Sequence, residues 1–307
     1  MTDMTLTFDV VDVFTDRPFA GNQLAVVHGA ESLTSEDCLA ITREFSFSES
    51  VFPGPVDPVT GEYPTRIFTP GGEIPFAGHP TLGAAWSLRS RGLLSGPSVV
   101  QVCGAGRIPV RFGDEAGDPD RVELSATPRD LVGPLDEQLV GSVLADLGLS
   151  SADLAGPVFA AGCGLTFLHV PVVGDAVARA SAATARPLAH YADALSPSGS
   201  LADPLEGINL VSVTGQAPRL SVHARVFVPG LLVPEDPATG SAAVGLGVAL
   251  VAAGRLPAGG HVDITQGVEI GRPSRLHARV EVGDGRASVC HVAGRVCPVM
   301  RGELTPP

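Results

Sequence analysis

Three ionisable side chains and two glycine turns in this sequence have the types and settings that proton chemistry on an acid requires. Glu49 lies in SFSESVF, where Phe45, Phe47 and Val51 surround a lone carboxylate. An apolar setting raises a carboxyl pKa toward the range a general base needs near neutral pH. The other reading of the same segment is a helix-to-strand connector with Glu49 facing solvent. Gly78-His79-Pro80 and Gly240-Ser241-Ala242 each open a run of small residues that reads as a helix. Pro80 suits a first helical turn, where its missing N–H has no intrahelical role, and glycine lets the backbone approach a ligand closely. Free amides at such a start, with the helix dipole, bind a carboxylate or a developing oxyanion. Taken singly, either turn is equally an ordinary capped helix start. His79 and Asp236, the latter in EDPATGS, sit beside these turns as ligand-polarising groups or as satisfied caps.

The elements that must position these groups alternate between strand and helix patterns. Two-residue alternation marks strands at 5–14, 22–27, 121–125, 168–173 and 219–228. Helical segments fall at 35–45, with Ser35 as the candidate N-cap, at 79–92, and after Gly240. A fourth, at 137–148, is amphipathic and reads as a surface helix. Segments 113–120 and 195–206 read as exposed turns or loops. A repeat organises the whole. RIFTPG at 66–71 matches RVFVPG at 225–230, and each is followed by an acidic residue and then by the glycine that opens a small-residue helix. A weaker echo sets QVCGAGRIPV at 101–110 against TQGVEIGRPS at 265–274. All the offsets are about 160 residues, half the chain, and the order is the same. This predicts two homologous halves related by a pseudo-twofold axis, with the active site in the cleft between them and two helix N-termini facing each other.

Composition narrows the function classes. The chain has 307 residues, a net charge of −13 and only 17% charged residues, so a broad nucleic-acid or anionic-membrane surface is not expected. All 20 basic residues are Arg, which excludes lysine Schiff-base chemistry and the P-loop lysine. Five cysteines, at 38, 103, 163, 290 and 297, form no CxxC pair and read as reduced, mostly buried thiols of a cytoplasmic protein. No metal motif, nucleophile elbow or Walker A is present, and GLGVALVAAG lacks the strand-turn-helix context of a dinucleotide site. The N-terminal MTDMTLTFDVVDVF has no basic n-region, long apolar stretch or small-residue cleavage site, so a signal peptide is not expected. The apolar run after Gly240 is too short for a membrane span and reads as a buried helix.

The ordered blocks DVFTDRPFAGNQLAVV, SFSESVF, RIFTPGGEIPFAGHPTLG, RVFVPGLLVPEDPATGSAA and QGVEIGRPS resemble the PhzF-like family of phenazine-biosynthesis isomerases, from residue 12 to residue 274. The resemblance implies an α+β chain of diaminopimelate-epimerase-like fold, the superfamily of that epimerase and of proline racemase. Each of its two pseudo-symmetric domains would be a curved sheet or barrel around a central helix, here the helices after Gly78 and Gly240. The halves would be 1–128, completed by 292–307, and 129–291.

The same resemblance implies a cytoplasmic isomerase of secondary metabolism that uses no cofactor and no metal, takes a small carboxylate, and pairs as a homodimer. In the phenazine enzyme one glutamate moves a proton between carbons of trans-2,3-dihydro-3-hydroxyanthranilate. The matching residue is Glu49. His79 and Asp236 match the family's polarising partners, and Gly78, Gly240 and Ser241 its substrate-binding shell. The related racemases carry a cysteine just before each helix-start glycine, and Ala77 and Thr239 stand there in this chain. An amino- or hydroxy-acid epimerase is thereby disfavoured. A non-catalytic metabolite-binding relative is the third reading. Two departures, Asn22-Gln23 where the family often has Asn-Pro, and PGGE at 70–73, bear on which acid fits.

Overall fold

The computed structural model describes residues 5–113, 118–183, 185–195, 201–229 and 234–307. Gly230 of the second repeat block, residues 114–117 and 196–200 of the two expected loops, and residues 1–4 of the N-terminal reading lie outside these. The chain divides into two compact units, Met1–Ser125 with Ala293–Pro307, and Ala126–Val292.

The first unit holds β1 (Leu6–Val13), β2 (Asn22–His28), α1 (Ser35–Phe45), β3 (Ser50–Pro53), β4 (Glu62–Thr69), β5 (Gly72–Ile74), α2 (Gly78–Ser90), β6 (Ser98–Cys103), β7 (Gly106–Phe112) and β8 (Arg121–Ala126). The second holds β9 (Asp130–Val132), α3 (Glu137–Asp146), β10 (Phe159–Gly162), β11 (Thr166–Pro171), α4 (Ala176–Arg179), α5 (Leu188–Leu195), β12 (Leu205–Gln216), β13 (Arg219–Phe227), β14 (Glu235–Asp236), α6 (Gly240–Ala252), β15 (Gly260–Gln266) and β16 (Ser274–Gly283). The final strand, β17 (Arg286–Leu304), begins in the second unit and ends in the first.

Strand pairing in the first unit closes a ring. β17 pairs antiparallel with β1, and β1 with β2; β2–β3 is parallel, β3–β4 antiparallel, β4–β6 parallel, and β6–β7 and β7–β8 antiparallel. β8 then pairs back to β17, giving an eight-stranded barrel. A closed barrel leaves no edge to protect. The second unit repeats the order, with β9–β10–β11 antiparallel, β11–β12 parallel, β12–β13 antiparallel, β13–β15 parallel and β15–β16 antiparallel. The two halves expected from the repeat thus share one topology.

Each wall wraps a helix whose small residues permit it. α2 packs on β1, β2, β3, β6 and β7, and α6 on β10, β11 and β16. Eleven of the thirteen residues of α6 are buried, so the apolar run after Gly240 is a core helix. Among the described residues no helix is long and apolar enough to cross a membrane. Gly83 and Gly245 occupy the same place in the two helices and make the same close approach. A Cβ at Gly83 would lie 2.4 Å from the Leu24 Cδ2, and one at Gly245 would lie 2.8 Å from the Ala161 carbonyl oxygen. The far end of α2 is tied to the wall by Asp9, which accepts from Ser87 Oγ (2.5 Å), Arg91 Nε (2.7 Å) and Arg301 Nε (2.7 Å), with His28 Nε2 3.1 Å away. Burial pushes the Asp9 carboxyl up, but these donors together outweigh it and hold it well below the usual carboxylate range. Outside the walls, α1 covers Leu6, Val27, Phe52 and Phe68 in the first unit, and α3, α4 and α5 cover β10–β13 in the second. α3 puts Leu139, Val140, Val143 and Leu144 into that core and its remaining face outward.

Three expectations need correction. The cap of α1 is Thr34, not Ser35: Thr34 Oγ1 accepts from the Asp37 amide and Asp37 Oδ2 accepts from the Thr34 amide, a reciprocal box that leaves Ser35 as the first helical residue. The thiols are not mostly buried, since only Cys38 and Cys290 are, while Cys103, Cys163 and Cys297 are half-buried; all five are free. The third echo is out of register. Cys103 opposes Gly106 and Gln266 opposes Ser274, so the hairpin has two intervening residues in the first unit and seven in the second. GRIPV and GRPS therefore do not occupy equivalent positions.

Candidate active site

Glu49, His79 and Gly78 come together in the first unit. Ser46 closes α1 in the left-handed region (φ 56°), and three residues later Glu49 immediately precedes β3, an interior strand between β2 and β4. Glu49 is thus in the helix-to-strand connector but does not face solvent. Its side chain keeps 17% of its surface, and Oε2 itself is buried. Burial pushes that carboxyl up to about 7, with the Ser48 hydroxyl pulling the other way. His79, 5% exposed and in the first turn of α2, places Nε2 3.7 Å from Glu49 Oε2, too far for a hydrogen bond. Glu49 Oε2 has no hydrogen-bond partner among the described residues. A buried acceptor left open opposite an imidazole nitrogen is what a reacting atom would complete.

Asp236, Gly240 and Ser241 belong to the second unit, at the entrance to α6. Thr239 Oγ1 donates to Asp236 Oδ2 at 2.5 Å. Gln266 Nε2 donates to the Asp236 carbonyl oxygen (2.8 Å) and to Thr239 Oγ1 (3.0 Å), and Gln266 Oε1 accepts from the Thr239 amide (3.2 Å). Gly240 is buried and Ser241 half-buried. The contrast in helix caps is informative. Thr34 and Asp136 cap α1 and α3 with their side chains, whereas Ala77 and Thr239, the N-caps of α2 and α6, give no side-chain bond to their helices. At both helix starts that the repeat singles out, as at the short α4, the cap side chain leaves the amides to other acceptors. Among the described residues no group of three His, Cys, Asp or Glu side chains is placed to hold a metal ion.

Sequence reasoning missed the contacts of three residues, Asn22 having been noted only as part of a departure from the family pattern. Gln266 clamps the EDPAT turn from β15, Asn22 contacts His79, and Ser48 contacts Asn22. Gln266 and Asn22 lie inside the blocks that carry the family resemblance, which was the available signal; their bonds join segments 57 and 30 residues apart, which no local pattern displays.

Comparison with known proteins agrees over the whole length. The family model described as "Phenazine biosynthesis-like protein" matches residues 11–302. An uncharacterized isomerase of Mesorhizobium japonicum is 34% identical over 316 aligned residues, covering 98% of this chain and 99% of the relative. The trans-2,3-dihydro-3-hydroxyanthranilate isomerase of Pseudomonas aeruginosa is 32% identical, covering 96% of this chain and 97% of the relative. Among solved structures, a PhzF-family phenazine biosynthesis protein of Bacillus anthracis superposes with a TM-score of 0.80 at 24% identity, covering 98% and 99% of the two chains. A probable proline racemase of Agrobacterium radiobacter does so with a TM-score of 0.63 at 11% identity, covering 97% and 92%. With a family match across nearly all its length, isomerases as relatives and the diaminopimelate-epimerase-like fold, this chain belongs to the PhzF-like, phenazine biosynthesis-like family and is an isomerase of that family.

Proposed function

We propose that the chain moves a proton between two carbons of a small unsaturated carboxylic acid, without a cofactor, and that Glu49 is the single group that takes and returns it. The observation that carries this reading is the Glu49 carboxyl, buried, pushed up to about 7, and open at Oε2 opposite His79. A group poised there is carboxylate often enough to abstract a proton and acidic enough to give it back. The carboxylate takes a proton from a C–H bond activated by the adjoining unsaturation, and the bonding pair moves into the conjugated system. The resulting carboxylic acid then delivers the proton to a second carbon on the same face, so substrate and product are isomers and nothing is oxidised. His79 and Asp236 polarise the substrate's polar groups. The backbone at Gly78 and Gly240, with Ser241, binds its carboxylate. A two-base epimerase needs a proton-transferring group before each helix start, and Ala77 and Thr239 are not such groups.

The relative from Pseudomonas aeruginosa supplies the first substrate to try. Turnover of trans-2,3-dihydro-3-hydroxyanthranilate in D₂O is followed by loss of the diene absorbance and by product deuteration, with Glu49→Gln as control. Glu49-dependent turnover supports the assignment with this substrate. Turnover that survives in Glu49→Gln overturns the one-base reading. If neither protein turns over any unsaturated amino or hydroxy acid yet both bind it equally, the chain is a metabolite-binding relative.

A further inference from the structure

The contacts around His79 fix more than its position. Asn22, 2% exposed, places Nδ2 3.3 Å from His79 Nδ1, and Ser48 Oγ lies 3.5 Å from Asn22 Oδ1. An amide nitrogen can only donate, so the ring nitrogen that receives it must offer a lone pair. The ring proton then sits on the other nitrogen, Nε2, which is the one facing Glu49. Ser48 Oγ lies on the oxygen side of that amide, the arrangement this orientation requires. An imidazolium would set an Nδ1 hydrogen against the Asn22 amino group, donor against donor, in a buried place.

The backbone around Asn22 makes it a rigid partner. It is the first residue of β2, opposite Val13 of β1. The preceding Gly21 turns at φ 66°, and a Cβ there would lie 2.3 Å from the Val13 carbonyl oxygen, so only glycine permits the chain to enter β2 at this point. The Phe19 amide donates to Asp12 Oδ2 at 2.7 Å and pins the loop before it.

We infer that Asn22 is a positioning residue, which holds His79 as the neutral imidazole with its proton on Nε2, directed at Glu49 and at the substrate atom bound there. A neutral donor polarises that atom without setting a full positive charge 3.7 Å from the base. An imidazolium at that distance would stabilise the Glu49 carboxylate and weaken it as a proton acceptor. The inference rests on the proposed roles of Glu49 and His79, but its main test needs no substrate.

The full-length protein, labelled with ¹⁵N-histidine, reports by ring ¹⁵N shifts which nitrogen carries the proton; the His79 signals are those lost in His79→Gln. The expected result is a wild-type ring protonated on Nε2 alone at neutral pH. In Asn22→Asp the partner becomes an acceptor, and the proton should move to Nδ1 or the ring become doubly protonated. With an accepted substrate, kcat should fall by about 10²–10⁴-fold, the scale of a misplaced catalytic proton, with a smaller change in KM. A wild-type ring protonated on Nδ1 overturns the inference whatever the turnover, and requires no variant to fold. An unchanged tautomer in a folded Asn22→Asp overturns it as well. Nε2 protonation that responds to Asn22→Asp in a protein with no turnover upholds the inference and counts against the proposed reaction instead.

Discussion

At the place where the first unit carries Glu49, the second carries Gly207. Ser50 opposes Phe68 and Ile208 opposes Phe227, and the Arg-x-Phe repeat makes those two phenylalanines equivalent, so the residue before each is Glu49 in one unit and Gly207 in the other. A Cβ on Gly207 would meet the Phe227 carbonyl oxygen at 2.8 Å, so the second wall has no room for a side chain there. The same bookkeeping sets His79 against Ser241 and, through the β4–β5 and β13–β14 pairings, Ile74 against Asp236. What the units share is structural. Arg66 grips Glu73 (2.8 and 2.9 Å) and Arg225 grips Glu235 (2.7 and 2.9 Å). Each guanidinium lies over the phenylalanine two residues on, and each reaches the neighbouring helix region, at Ser35 in one unit and at the Val177 and Ala180 carbonyls in the other. The duplication has kept the wall, the clamp and the helix glycine while making the reactive positions different. That asymmetry supports a one-base reaction, because a two-base reaction across such a repeat would call for matching groups.

The largest effect should come from removing the group that has no counterpart. Glu49→Gln should lower kcat by about 10²–10⁴-fold or more while leaving substrate affinity within a few-fold. Steady-state kinetics with a binding isotherm for the variant checks this, and a comparable loss from Ser241→Ala would erase the functional distinction between the units.

The clamps should separate next. Arg225 and Glu235 keep 9% and 10% of their side-chain surface, against 36% and 41% for Arg66 and Glu73. Glu235→Gln leaves the buried Arg225 guanidinium only the Glu269 carboxylate, 4.0 Å away, as a counter-charge and should cost about 3 kcal/mol. Glu73→Gln removes an exposed partner and should cost about 1 kcal/mol or less. Urea unfolding of the two variants decides it, and equal losses would show that burial does not distinguish the clamps.

The chemistry of Glu49 also leaves a mark on stability. Its folded-state carboxyl titrates at about 7 against an ordinary 4.5, so between those values the folded chain holds a proton that the unfolded chain has released. Stability therefore falls as pH rises from about 4.5 to 7 and this contribution is flat above, for a total of about 3 kcal/mol. Glu49→Gln should remove that slope. Activity runs the other way: kcat/KM should rise through pH 7 as the base ionises, so the residue that costs the first unit stability is the one that gives it function.

The repeat was legible because its carriers are rare and ordered: Arg-x-Phe on a strand, then an acid, then a glycine opening a helix of small residues. The helix expected at 35–45 is α1 to the residue, and the one expected at 79–92 is α2, shifted to 78–90. Glu49 was legible as a carboxylate among aromatics, but whether it faced solvent was not, since that depends on β3 lying between β2 and β4. Strand register was illegible for the same reason. It alone pairs Glu49 with Gly207, and it shows the echo at 101–110 and 265–274 to be misaligned. The contacts of Asn22, Ser48 and Gln266 were illegible because an amide or a hydroxyl acquires meaning only from the partner that a distant segment brings to it.

The smallest difference tests how far the two walls tolerate the same change. Gly83 and Gly245 are equivalent, yet an added methyl meets different things. At Gly83 it meets side chains only, the tip of Leu24 at 2.4 Å and the methyls of Val13 and Val11 at 3.1 and 3.2 Å; at Gly245 it meets the Ala161 carbonyl oxygen at 2.8 Å and His169 Nε2 at 2.9 Å. That imidazole is held from both sides, Nε2 donating to the Ala161 oxygen at 3.2 Å and Nδ1 accepting from Asn209 at 3.1 Å. Burial pushes it down to about 4, so it stays neutral and cannot move without losing a buried bond. Alanine also gains helix propensity over glycine, about 1 kcal/mol in either helix. Gly83→Ala should therefore come out near neutral, and Gly245→Ala should lose about 1–3 kcal/mol through overpacking against backbone. Denaturant melts of the two variants measure the difference directly. A Gly245→Ala protein as stable as Gly83→Ala would mean that α6 can shift against its wall, and that the second unit is held less tightly around its helix than its contacts indicate.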